Sequence, residues 1–180
     1  MTLSKKQTSV TRKTASPKAS AGANEAADVA REVLWERPGF LVRRLNQIHY
    51  AMFFEECHAH NITPVQYGIL TALSLVPWMD QTEIGMDVGL DRTTTADVVK
   101  RLQERGLIER RTNPEDKRSR QAKLTKEGAR VVEELHAGMA RAQERLLEPL
   151  NARSREVFMR LLATLVEGNN QYGRTVLRGF

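Results

Sequence analysis

Between Leu90 and Gly128 the chain reads LDRTTTADVVKRLQERGLIERRTNPEDKRSRQAKLTKEG, and few folds accommodate that pattern. Thr95, Val98, Val99 and Leu102 recur at spacings of three and four, which predicts a helix over about 92–105. Asp91 stands where a cap belongs and Gly106 where the helix must stop. Two short β candidates follow, Leu107 to Arg111 and Gln121 to Leu124. Asn113-Pro114-Glu115-Asp116 supplies turn chemistry between them. Thr125 then opens another helix. A helix followed by a charged two-stranded ribbon cannot bury a core alone, so it must be the exposed end of a larger helical body.

The flanking sequence provides that body. Residues 25–36 suit a short helix, with Val29, Val33 and Leu34 on one side, and Pro38-Gly39 interrupts it. From Phe40, the residues Leu41, Leu45, Ile48 and Met52 mark a helix to about Cys57. Thr63 as cap and Pro64 at the first helical position begin a helix over about 64–75, and Pro77 ends it. Asp80 or Thr82 caps a short helix that buries Ile84 and Val88 and closes at Gly89. This helix and the next, joined by a turn of three or four residues, form a helix-turn-helix. Long helices over about 126–147 and 153–168 follow, parted by Pro149. From Phe40 the order is α-α-α-α-β-β-α-α, without an internal repeat. The fold class is mainly α with a small β-wing.

Charge points to the partner. Arg92 to Arg130 holds 12 Lys/Arg against 6 Asp/Glu, while the whole chain of 180 residues carries only +6. Five further cations (Lys5, Lys6, Arg12, Lys13 and Lys18) precede the first acid, Glu25, so residues 1–24 are expected to be a disordered basic tail. Everything else is net acidic. Positive charge focused in two places is the footprint of a polyanion binder. The helix 92–105 has short hydroxyls near its start and suits the major groove of DNA, where hydroxyls bond base edges or phosphate. An arginine-tipped ribbon reaches a narrow, A·T-rich minor groove, and Arg118 is the expected inserting residue. Asp116 is expected to hold that guanidinium by a bidentate pair. Asp97 opposes phosphate; it could accept a bond from a cytosine amine, and it is expected instead to pair with Arg101 one turn on. The candidate DNA-contacting residues are Arg92, Thr93, Thr94, Thr95, Asp97, Lys100, Arg101, Arg111, Asp116, Lys117, Arg118 and Arg120.

RLQERGLIERR, NPEDKRS and LTKEG, in that order and spacing, resemble the winged helix-turn-helix of the MarR family of transcriptional regulators. The resemblance covers roughly residues 38–170. It implies a homodimer with a helical dimerisation lobe (25–62 and 126–170), a winged helix-turn-helix lobe (63–125) and a C-terminal extension (171–180). It also implies a repressor or activator switched by a small-molecule effector; a repressor released from an inverted-repeat operator is the expectation here. Asp116-Lys117-Arg118 matches the family's minor-groove Asp-x-Arg pair, whereas Asp97 departs from the basic or polar residue usual at its place. PGFLVRRLNQIHYAMFFEEC followed by ITPVQYGIL is similar to members that control aromatic-acid degradation and respond to the acids or their CoA thioesters. The effector pocket implied by the family, between the two lobes, would be lined here by Arg43, Arg44, His49, Tyr50, Phe53, Tyr67 and Trp78. Aromatic side chains would cover a ring, and Arg or His would pair a carboxylate or a phosphate.

Other functions fit the residues less well. Cys57, the single cysteine, excludes an intramolecular disulfide framework and suits a reducing compartment. Cys57-His58-x-His60 places three potential ligands too close together to close a tetrahedral metal site, so no metal and no cofactor is expected. A redox sensor at Cys57 lacks a neighbouring base to lower the thiol pKa. No nucleophile, base and acid constellation marks an enzyme. The alternatives are an architectural DNA binder without an effector and, behind it, a redox-sensing regulator through Cys57. There is no run of 18 apolar residues and no secretory apolar core near the start, so a cytoplasmic, nucleoid-associated protein is expected.

Overall fold

The computed structural model describes residues 31–179. The expected basic tail and residues 25–30 of the first expected helix lie outside the described residues. Two units are present, one ending at Leu45 and one beginning at Asn46. In the first, residues 31–35 are helical and the chain turns at Arg37 into α1 (Pro38–Glu56). Pro38 thus begins α1 rather than lying in a gap before it. Its missing N–H is no loss at the first helical position, and the N–H groups of Phe40 and Leu41 donate to the Arg37 carbonyl (3.0 and 3.1 Å).

In the second unit each helix starts where a short polar side chain can cap it. Thr63 and Gln66 bond each other's backbone N–H groups at the start of α2 (Pro64–Leu75). Asp80 and Glu83 do the same for α3 (Gln81–Val88). Asp91 caps α4 (Arg92–Glu104). Thr125 caps α5 (Lys126–Leu147) and Asn151 caps α6 (Ala152–Gly168). Gly106, at φ 70°, reverses the chain after α4. There the Leu107 N–H reaches back to the Leu102 carbonyl (3.0 Å) and the Gly106 N–H to Gln103 (2.8 Å).

The ribbon has three strands rather than two. β2 (Ile108–Thr112) pairs antiparallel with β3 (Arg120–Leu124), with Arg110 opposite Ala122. On the far side of β3 lies β1 (Met79–Asp80), Met79 opposite Ala122 and Asp80 opposite Gln121. Two residues cannot show an alternating pattern, so only the pairing reveals this strand. It fixes the wing to the start of α3.

The core surrounds α2. Phe53, Ile62, Ile69, Leu70, Leu73, Met79, Ile84, Val99 and Leu102 are all at most 2% exposed, and each such aliphatic side chain contributes about 1.5–3 kcal/mol through burial. The start of α5 lies against the backbone at the start of the wing. A Cβ on Gly128 would stand 1.9 Å from the Leu107 carbonyl oxygen, so only glycine fits. Arg141 and Arg145 of α5 bind Glu56 at the end of α1 (2.7 and 2.8 Å). Those bonds, Arg141 first, hold the Glu56 carboxyl below the usual range. In contrast, α6 buries none of its residues, and Met159, Leu161 and Leu165 are exposed. No helix among the described residues is long and apolar enough to cross a membrane.

Candidate nucleic-acid interface and ligand cavity

Helix α4 buries Thr95, Val98, Val99 and Leu102 and leaves Arg92, Thr93, Asp97, Lys100 and Arg101 exposed. Thr94 is half-buried, and its N–H and hydroxyl both donate to the Asp91 carboxylate (2.8 Å each). These bonds, the backbone one first, keep Asp91 ionised below its ordinary range. Thr95 must be removed from the DNA-facing set. Its hydroxyl is fully buried and donates to the Asp91 carbonyl (2.9 Å). The position obeys the apolar stripe of the helix, with threonine standing in for an aliphatic residue.

Two expected pairings take a different form. Arg101 Nε donates to the Asp97 backbone carbonyl (3.3 Å), not to its carboxylate. Among the described residues that carboxylate has no partner. Asp116 accepts the backbone N–H of Arg118 (2.9 Å), and the Ser119 N–H donates to the Asp116 carbonyl (2.9 Å). Asp116 therefore shapes the turn, as an Asx side chain commonly does, and the Arg118 guanidinium has no side-chain partner among the described residues. The tip of the wing meets the start of α4. Arg92, Arg118 and Arg120 line one cleft of about 330 Å³ together with Asp80, Thr82 and Asp116. Lys117 is exposed beside it.

Trp78 belongs to the wing and not to a ligand pocket. The Arg111 guanidinium lies 3.8 Å from its ring centroid and Lys123 Nζ 4.8 Å. Arg111 Nε also donates to Gln121 Oε1 (3.0 Å), so this cation is held in place on β2. Trp78 adopts φ 64°, a conformation that costs a bulky L-residue about 1–2 kcal/mol.

A separate cavity of about 730 Å³ lies among α1, α2, α3, α5 and the C-terminal segment. His49, Tyr50 and Tyr67 line it as expected residues of the pocket. Phe53 does not. It is wholly buried behind Tyr67, 6.1 Å between ring centroids, and serves the core. Arg43 and Arg44 fall in the other unit, where Arg43 stands over the Phe40 ring (5.2 Å) and Arg44 is exposed. Sequence reasoning missed Thr71, Asp87 and Arg178, which also line the cavity. The Thr71 hydroxyl is buried with no hydrogen-bond partner among the described residues, which costs about 1–3 kcal/mol. Nothing in an apolar helical stripe signals such a threonine, and Arg178 lies far along the chain. Burial pushes the His49 imidazole below its ordinary pKa, and its Nε2 lies 3.3 Å from Gln143 Nε2. Burial, and then the nearby Glu56 charge, pushes the Cys57 thiol up. No cluster of metal ligands occurs among the described residues.

A helix-turn-helix with an arginine-tipped, three-stranded ribbon beside the start of its second helix defines a winged helix-turn-helix DNA-binding protein. Residues 62–119 match the model of the MarR family. The chain is 40% identical to the PcaV transcriptional regulator from Streptomyces coelicolor, solved in complex with its natural ligand. That likeness covers 74% of this chain and 94% of the other, with a TM-score of 0.70. It is 29% identical to the transcriptional repressor CouR, solved bound to a 23-mer DNA duplex (74% and 94% covered, TM-score 0.69). It is 27% identical to BpsR of Bordetella bronchiseptica, whose DNA binding is regulated by 6-hydroxynicotinic acid (72% and 93% covered, TM-score 0.69). The chain belongs to the MarR family and is a DNA-binding transcriptional regulator.

Proposed function

We propose that the chain is a repressor that binds an inverted-repeat operator as a homodimer and is released by an aromatic acid or its CoA thioester. The observation that carries the DNA reading is the shared cleft of Arg92, Arg118 and Arg120, which joins the start of the recognition helix to the wing. Arg92, Thr93, Thr94, Asp97, Lys100 and Arg101 face the major groove. Arg111, Lys117 and Arg120 meet phosphate, and Arg118 enters the minor groove, over a turn shaped by Asp116. The exposed apolar side chains of α6 support a dimerisation lobe built from 25–62 and 126–170, because such a stripe is costly in water. CouR, a relative, is a repressor solved on DNA.

The effector reading rests on the cavity. Its volume of about 730 Å³ suits a small organic ligand. Tyr50 and Tyr67 offer aromatic surface and His49 a ring nitrogen. A CoA thioester would place only its acyl group inside. PcaV and BpsR, both relatives, are a ligand-bound and an aromatic-acid-regulated protein. The buried Cys57, with its raised thiol pKa, does not favour redox sensing.

Selection from a random duplex library tests the DNA reading. Enriched sequences should form an inverted repeat with half-sites about 10 base pairs apart. Enrichment without symmetry would make the chain an architectural binder instead. Thermal-shift screening of aromatic acids, with hits retested for release of the selected duplex, tests the effector. Ligands that stabilise the protein but leave DNA bound would refute the release mechanism.

A further inference from the structure

After α6 the chain runs back over the helix-turn-helix. Asn170 and Leu177 close this segment on itself, the Leu177 N–H donating to Asn170 Oδ1 (2.9 Å) and Asn170 Nδ2 to the Leu177 carbonyl (3.2 Å). The anchors of the loop converge on α3 and the turn before α4. The Thr175 hydroxyl donates to the Leu90 carbonyl (2.8 Å). Leu177 packs on Gly89, its Cδ2 lying 3.3 Å from where a Cβ would stand. The Arg178 N–H donates to the Met86 carbonyl (3.0 Å). Its guanidinium grips Asp87 through Nε (2.9 Å) and Nη2 (2.7 Å) and approaches Glu83 (3.9 Å). Arg174 reaches Asp91, the cap of α4 (3.3 Å).

Helix capping does not require this strap. Gly89 already ends α3, and Asp91 already caps α4 through Thr94. What the strap adds is a fixed relation between the turn and the C-terminal end of α6. Arg178 and Asp87 also form part of the cavity wall. One short segment therefore touches both the ligand cavity and the cap of the recognition helix. A carboxylate in the cavity would compete with Asp87 for the Arg178 guanidinium, because both are planar anions that the same fork can bind.

We propose that residues 173–179 are a positioning strap for the recognition helix, and that Arg178 links cavity occupancy to it. The linkage half rests on the aromatic-acid reading, and the positioning half does not. An anion that draws Arg178 from Asp87 loosens the strap at Met86 and Leu90. The start of α4 is then less firmly held when it meets DNA. The strap works only because the ligand binds its loosened form better, and the same coupling makes operator DNA weaken ligand binding.

The test uses the full chain beside three variants: Arg174→Ala, Arg178→Met and a truncation after Tyr172. Arg174 is 79% exposed, so that substitution does not threaten the fold. Amide hydrogen exchange reads the positioning half without DNA or ligand. Amides 89–95 should exchange about tenfold faster in the truncated chain, with α5 unchanged as internal reference. Preference for the selected duplex over a random one should fall about three- to tenfold in the truncation and less in Arg174→Ala. Unchanged exchange at 89–95, or an unchanged preference, overturns the strap. With 6-hydroxynicotinate as probe, the intact chain should lose DNA while Arg178→Met and the truncation hold it. Equal release from all four proteins overturns the linkage. Release from none, with exchange and preference altered as expected, refutes this effector while the strap stands.

Discussion

Replacing Arg118 by alanine removes one guanidinium from the wing and almost nothing else. The side chain is exposed and makes no bond to another side chain among the described residues. Its backbone N–H, held by Asp116, remains in the alanine variant, so thermal stability should not change. DNA binding should change in a defined way. In the proposed dimer two cations are lost, and each phosphate contact contributes about 0.9 to the slope of log affinity against log salt, so the slope falls by about 1.8. Over a fourfold rise in salt, from about 50 to 200 mM, that difference makes the deficit of the variant shrink by about 12-fold. Fluorescence anisotropy with the selected duplex measures it. Arg118→Lys separates charge from shape. It should keep the slope but lose preference for A·T pairs under the wing, because an ammonium lacks the planar fork that fits a narrow minor groove. An unchanged slope in Arg118→Ala would show that the Arg118 guanidinium does not sit against the DNA. Lysine matching arginine in both measures would refute minor-groove insertion.

Trp78→Gly should be more stable than Trp78→Ala by about 1 kcal/mol in urea unfolding, since both lose the indole but only glycine accepts φ 64° freely. Equal stabilities would mean that the backbone there is not strained. Gly128→Ala should cost about 3 kcal/mol or more, because its Cβ would meet the Leu107 carbonyl oxygen; a melting point within a degree or two of the parent would contradict that contact. The ion pairs of Glu56 make acid stability a third probe. Its depressed carboxyl pKa gives stability that is present above about pH 5 and is lost as pH falls through the depressed value. The double variant Arg141→Met, Arg145→Met should be less stable at neutral pH and decline less steeply toward pH 3, and parallel urea-midpoint profiles would refute the assignment.

Much of the fold was legible because local chemistry dictated it. Thr63, Asp91 and Thr125 cap the helices they were expected to cap, and Gly89 and Gly106 end the helices before them. Those positions depend on hydrogen bonds three or four residues away, which a linear pattern records. Thr95 shows the limit. The apolar spacing assigned its side to the core, yet its hydroxyl also made it a DNA candidate, and only burial decided between the two. Trp78 reads in sequence as a ligand aromatic because the two residues after it, β1, become a strand only by pairing with β3.

Charge clustering, periodicity and caps are properties of neighbouring residues, so a basic reading head on a helical body follows from the amino-acid order alone. The tertiary structure decided which residues share a space. Thr71 and Arg178 line the same cavity, and Arg174 meets the cap of the recognition helix 83 positions earlier. Contacts at that separation leave no periodic trace, because they are set by how whole elements pack and not by the spacing within any one of them.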